Sequence, residues 1–247
     1  MQIYFNPYKK TIFSYNKPSN ASVNRLIFAI IMKCKIIWLM KKFGLWLLKN
    51  NIHIMTLIFL GWVLWGICNW QNLQLVQKLT LGMYAWLIVH EYEEGYKGKF
   101  LDLMAGRLLQ IDHRTLTPGM THIGQAVYIT VLFSLALLFP NQLWLTFGAL
   151  ILGIFEGFVH NMGIFLFQLK GVSPGWYTAV LMAAYAIWAI VVINRNIDYP
   201  GIQWLWGILW FLLGFICLEI SVHYLMGSTP KKSLGKAKLF LKDRFGK

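Results

Sequence analysis

Acidic residues are rare in this chain. Only nine Asp and Glu stand against 23 Lys and Arg in 247 residues, and none lies in the first fifty positions. Charged residues make up 13% of the chain and hydrophobic residues 57%, which is too apolar for a soluble domain of this length. A nucleic-acid-binding function is disfavoured as well, because no folded basic domain is present to carry it.

Cysteine is also scarce. The three cysteines, Cys34, Cys68 and Cys217, lie far apart and form no CxxC pair. This spacing argues against a disulfide framework and against a zinc site built from thiolates. Metal ligands in this chain are therefore sought among histidines and carboxylates.

Long apolar segments fill most of the chain after residue 50. They lack the alternation of a membrane β-strand, and backbone in hydrocarbon must satisfy its own hydrogen bonds, so they predict helices. The expected fold is an all-α, polytopic helix bundle in the cell membrane with about six transmembrane helices. The predicted spans are residues 53–70, 79–94, 122–139, 142–168, 175–194 and 201–226. Ser173 is expected to cap the helix of the fifth span.

Positive charge is distributed unevenly between the two sides of these spans. With six spans, 21 of the 23 Lys and Arg fall on one side, which the positive-inside rule identifies as cytoplasmic. Both termini are then predicted to lie inside. The chain divides into a basic, partly mobile and amphipathic segment (1–50), a transmembrane domain (51–226) and a basic cytoplasmic tail (227–247), and the basic segments predict contact with anionic lipids.

Acids and histidines recur together at the ends of the second, fourth and sixth spans. The three groups are His90 with Glu93 and Glu94, Glu156 with His160, and Glu219 with His223. Residues three or four apart lie on one face of a helix, and the predicted topology puts all three groups near the cytoplasmic side. Glu91 falls off the face of His90 and is expected to point away, whereas His122 either joins the site or lies at the interface.

These groups predict a polar site inside the membrane. A carboxylate in the middle of a membrane helix costs about 2.5–3.5 kcal/mol even on the milder scales, so it needs a partner. Imidazole and carboxylate suit zinc, or iron and manganese in a two-metal centre. The candidate metal ligands are His90, Glu93, Glu156, His160, Glu219 and His223, and Glu94 is the candidate general base. The alternatives are a solvated helix end at residues 90–94 and hydrogen-bonded pairs that hold helices together.

The run His90-Glu91-Tyr92-Glu93-Glu94 resembles the signature of the HXXEE family of membrane proteins. The stretch FVHNMG (158–163) and the pair Glu219 and His223 are similar to the later polar positions of that family, so the resemblance covers about residues 60–226. It implies a protein with several membrane spans and a site at these residues. It implies no particular reaction.

Three function classes remain open on the sequence alone. The first is a metal-dependent enzyme, hydrolase or oxidoreductase, acting on a lipid-like or membrane-borne substrate. The second is a proton- or cation-coupled transporter that uses the same acids and histidines. The third is a structural or accessory membrane protein in which the polar pairs only join helices.

Overall fold

The computed structural model describes residues 20–95, 103, 118–225 and 229–246. Within these ranges the chain forms seven α-helices and no strand, which confirms the all-α prediction for this part of the protein. The helices are α1 (Asn20–Cys68), α2 (Leu75–Gly95), α3 (Pro118–Leu138), α4 (Leu143–Phe167), α5 (Trp176–Asn196), α6 (Ile202–Leu225) and α7 (Pro230–Phe245).

The chain divides into two compact units, Met1–Leu45 and Trp46–Lys247. In the first unit the side chains of residues 37–43 are largely exposed, and the ammonium of Lys42 lies 4.0 Å from the centre of the Trp38 ring. The second unit holds the remainder of α1 and all the other helices. The candidate site described below lies entirely within this second unit.

Four helices are long and apolar enough to cross a membrane. These are Ile37–Cys68, Leu143–Phe167, Trp176–Asn196 and Ile202–Ser221, and His122–Leu138 is a shorter apolar helix. Large hydrophobic side chains on α5 and α6, such as Trp188, Trp206 and Leu213, are more than half exposed, as expected for surfaces that face lipid. The chain is thus a membrane-type helical protein, while six spans and the cytoplasmic position of both termini stay predictions.

The core of the second unit forms where α2, α3, α5 and α6 pack around α4. Tyr84 of α2 stacks on Phe133 of α3 with ring centres 4.6 Å apart, and both side chains are fully buried. On α4, Gly153 and Gly157 lie on the surfaces that meet α2 and α5, where an added Cβ would clash with Met83 at Gly153 and would lie 2.6 Å from Ala183 at Gly157. Both glycines therefore permit close packing of α4 against its neighbours.

The connection between α4 and α5 brings polar groups to one end of this bundle. α4 ends at Gln168 in the left-handed region, and α5 begins after Gly175, which also has a positive φ of 78°. The prediction that Ser173 caps α5 is wrong, because the residue before the helix is Gly175 and no side chain caps it. The Ser173 hydroxyl instead lies 3.0 Å from Nδ1 of His160.

Candidate metal centre

Four buried side chains from α2 and α4 converge at this end of the bundle. We call His90, Glu94, Glu156 and His160 the four-residue cluster. Nε2 of His90 lies 3.9 Å from Glu94 Oε2 and 3.8 Å from Glu156 Oε2. Nε2 of His160 lies 3.6 Å from Glu94 Oε1 and 3.8 Å from the same Glu156 oxygen. The two histidines and Glu94 are at most 2% exposed, and Glu156 is 15% exposed.

Helix geometry explains how the sequence assembles this cluster. His90 and Glu94 are four residues apart on α2, and Glu156 and His160 are four apart on α4, so each helix presents one acid and one histidine on one face. The two helices then bring the histidine rings together at right angles, with centres 5.0 Å apart. Each carboxylate consequently lies near both imidazoles.

A hydroxyl from the first turn of α5 sets the tautomer of His90. Thr178 donates its single hydroxyl proton to Glu93 Oε2 at 2.5 Å, and its backbone N–H donates to the same oxygen at 3.0 Å. The Thr178 oxygen can then only accept from Nδ1 of His90, 3.0 Å away, so that nitrogen carries the proton. Nε2 of neutral His90 therefore presents a lone pair to the cluster, as in metal-binding histidines oriented by a second residue.

The same arrangement recurs at His160. Ser173 donates its hydroxyl proton to the backbone oxygen of His160 at 3.2 Å and accepts from Nδ1 at 3.0 Å. Neutral His160 thus also turns the lone pair of Nε2 toward Glu94 and Glu156. Both supporting hydroxyls come from the connection that leads from α4 into α5.

Gly175 closes the cluster from this connection. A Cβ on this residue would lie 2.9 Å from Cε1 of His90, 3.0 Å from Cε1 of His160 and 3.3 Å from Cβ of Glu94. The positive φ at this position also favours glycine. Only a residue without a side chain lets the backbone pack this closely over both imidazoles.

The distances within the cluster fit a shared cation better than direct hydrogen bonds. Protein hydrogen bonds to nitrogen span about 2.7–3.2 Å, whereas the histidine–carboxylate distances here are 3.6–3.9 Å. Zinc bonds of about 2.0–2.1 Å in a tetrahedron put ligand atoms roughly 3.3 Å apart, so a small contraction would suffice. Nε2 of His90 and Oε2 of Glu94 also have no hydrogen-bond partner among the described residues. Two ionised carboxylates with two neutral imidazoles would match one divalent cation in charge.

A second histidine–carboxylate group adjoins the cluster through Glu94. Nδ1 of His122 on α3 lies 3.4 Å from Oε2 of Glu91, and Gln125 donates to the other Glu91 oxygen at 2.8 Å. Glu91 was expected to point away from the face of His90; its side chain turns toward α3, where it is only 1% exposed and groups with Glu94 and His122. His122, for which the sequence left two positions open, is 4% exposed and faces Glu91.

The structure brings together four of the seven residues predicted for the site. Glu93 lies beside the cluster but bonds Thr178. Glu219 and His223 pair with each other on α6, with Nε2 and Oε2 3.9 Å apart, and Glu219 is near enough for its charge to act on Glu156. No ion pair among the described residues links that pair to the cluster, and the Glu219 side chain is 45% exposed. The loop residues Asp102, Asp112 and His113 lie outside the described ranges.

The sequence reasoning missed the residues that orient the histidines. Ser173 and Thr178 carry no pattern of their own, because they meet His160 and His90 only after the helices pack. Gly175 gives only a weak indication of a special backbone position, because it is a glycine directly after Pro174 and before a helical segment. Glu91 offers a clearer indication of its burial, since it continues the buried stripe of Tyr84 and Leu87.

Comparisons with known proteins add no family to this picture. No protein-family model matches the chain, and no curated protein or solved structure matches it. The resemblance to the HXXEE family stays a prediction. The functional argument therefore depends on the geometry of the chain itself.

Proposed function

We propose that the four-residue cluster binds a divalent metal ion and is the catalytic centre of a membrane enzyme. The observation that carries the proposal is the convergence of two imidazole Nε2 lone pairs on two buried carboxylates. His90, His160 and Glu156 are the proposed ligands, with Glu94 as a further ligand or the general base. Zinc, iron and manganese all accept this donor set.

The surroundings of the cluster favour a lipid-like or membrane-borne substrate. On α4, the helix that carries Glu156 and His160, Phe158 and Met162 are 60% and 48% exposed and give the opposite face of this helix an apolar surface. A bound metal would supply Lewis acidity and lower the pKa of a coordinated water, which serves hydrolytic or oxidative chemistry. The role of the chain's own residues is to hold the ion, fix both imidazole tautomers through Thr178 and Ser173, and bury the carboxylates.

Elemental analysis of the detergent-purified full chain tests this proposal. Wild-type protein should carry zinc, iron or manganese at one or more ions per chain, and His160→Ala should lose most of that metal. His223→Ala is the matched control, because His223 also lies 3.9 Å from a glutamate four residues away but has no second histidine beside it in the described contacts.

The outcomes distinguish the metal site from a site elsewhere in the chain and from a transporter. If wild-type protein contains no metal and binds no added zinc, iron or manganese, the metal proposal is overturned. Equal metal loss in both variants would place the site elsewhere. Uptake of cations into vesicles by the wild type, abolished in His160→Ala, would favour the transporter instead.

A further inference from the structure

The group formed by Glu91, Glu94 and His122 has the features of a second metal site. One ligand atom from each residue lies within 4.8 Å of the other two, and all three residues are buried. Oε2 of Glu91, Oε2 of Glu94 and Nδ1 of His122 have no hydrogen-bond partner within the described part of the chain. Three buried polar atoms that face one another without bonds are rare in folded proteins and call for a ligand.

We propose that this group binds a second metal ion, so that the protein contains a two-metal centre with Glu94 shared between the ions. This inference rests on the proposed function, because the first ion would lie in the four-residue cluster. Glu94 belongs to the second group and also lies 3.9 Å from Nε2 of His90 and 3.6 Å from Nε2 of His160, which makes it a member of the four-residue cluster. One ligand oxygen of Glu94 also lies within 4.8 Å of ligand atoms of Glu91 and His122, and a carboxylate can bridge two ions through its two oxygens.

Charge compensation supports the second ion. The combined centre contains three carboxylates, of which Glu91 and Glu94 are buried and Glu156 is partly buried. One divalent ion offsets only two negative charges, which leaves one carboxylate uncompensated away from water. Gln125 satisfies only one oxygen of Glu91. A second cation would offset this charge and use the free oxygen, and with Glu93 beside the cluster as a fourth carboxylate, two divalent ions match four negative charges.

The competing occupant of the second group is a proton. A protonated His122 could pair with Glu91 without any metal. A charge-assisted hydrogen bond would bring these atoms to about 2.7–2.9 Å, whereas they are 3.4 Å apart and do not meet hydrogen-bond geometry. The observed separation instead matches two ligands of one ion, for which about 3.3 Å is expected in a tetrahedral site.

Manganese titration of the metal-stripped full chain in detergent tests the second site. Wild type should bind two Mn²⁺ per chain, and His122→Ala and Glu91→Gln should each bind one. His223→Ala should keep two. Glu91→Gln preserves the size of the side chain, so it remains informative if removal of the His122 ring prevents folding. Electron paramagnetic resonance tests the second site in wild type without any mutation. Two Mn²⁺ ions about 3.5–4 Å apart couple magnetically, so the signal of isolated Mn²⁺ should weaken as the second equivalent binds.

The failure of this inference differs from failure of the proposed function. A wild type that binds one Mn²⁺, with no change in His122→Ala or Glu91→Gln, overturns the second site and leaves the first. A proton at His122 alone is then the occupant. A wild type that binds neither Mn²⁺ nor Zn²⁺ overturns both.

Discussion

Replacement of Gly175 by alanine should damage the cluster more than its small size suggests. A non-glycine residue at a φ of 78° costs about 1–2 kcal/mol in the left-handed region. The added Cβ would also lie 2.9 Å and 3.0 Å from the rings of His90 and His160, both of which are held by hydrogen bonds at Nδ1. Overpacking of this kind costs about 1–3 kcal/mol. The free energy of unfolding should therefore fall by roughly 2–5 kcal/mol in Gly175→Ala.

Gly171→Ala is the matched control in the same connection. An added Cβ at Gly171 has no heavy atom within 4 Å, so this change should be nearly neutral. Thermal unfolding in detergent, followed by circular dichroism, should give a lower midpoint for Gly175→Ala than for Gly171→Ala, and metal affinity should fall only in Gly175→Ala. Equal midpoints and equal affinities in the two variants would refute the close packing of the Gly175 backbone over the imidazoles.

Thr178→Val should lower metal affinity about 10- to 100-fold, because His90 loses the hydroxyl that fixes its tautomer, whereas Thr178→Ser should retain affinity. Isothermal titration with Zn²⁺ measures both affinities, and equal values in the two variants would contradict the role of the hydroxyl. Metal binding should release protons, and metal affinity should fall as the medium is acidified, because imidazole binds metal in its neutral form and carboxylate in its ionised form. Calorimetry in buffers of different ionisation enthalpy measures the proton release. Zero release with metal bound would exclude these ligands. A cysteine introduced in the turn 197–201 should react with an impermeant thiol reagent outside intact cells, whereas one in α7 should not, and the reverse pattern would overturn the predicted orientation. Vesicles with anionic lipid should bind an α7 peptide more strongly than neutral vesicles, since α7 is rich in lysine, and equal binding would contradict the predicted lipid contact.

The local features of the site were predictable because they depend on helix periodicity. An acid and a histidine four residues apart must share a helix face, so the pairs His90–Glu94 and Glu156–His160 could be derived from spacing alone. The apolar segments likewise predicted an all-α fold, because a helix satisfies the hydrogen bonds of its own backbone in hydrocarbon.

The choice among the pairs could not be predicted, because periodicity does not determine which helices are neighbours. Glu219 and His223 have the same spacing as Glu156 and His160, yet Glu219 is 45% exposed and Glu156 is 15% exposed. The difference comes from tertiary packing, which covers α4 on several sides and leaves α6 largely exposed. Glu91 continues the buried stripe of α2, but the position of His122 on α3 beside it could not be derived from periodicity.

The connection from α4 to α5 also constrains the order in which the protein can mature. Glu93 and Thr178, which bond each other, are separated by 85 positions in the chain. During synthesis, α2 is therefore complete long before the hydroxyl that orients its histidine, and α4 ends shortly before Ser173 is added. A chain that ended after α4 would contain every proposed ligand and still lack Ser173, Gly175 and Thr178. Loading of the ion is consequently expected to follow insertion of α5, and ribosome-stalled chains of graded length would show metal retention only once that helix has emerged.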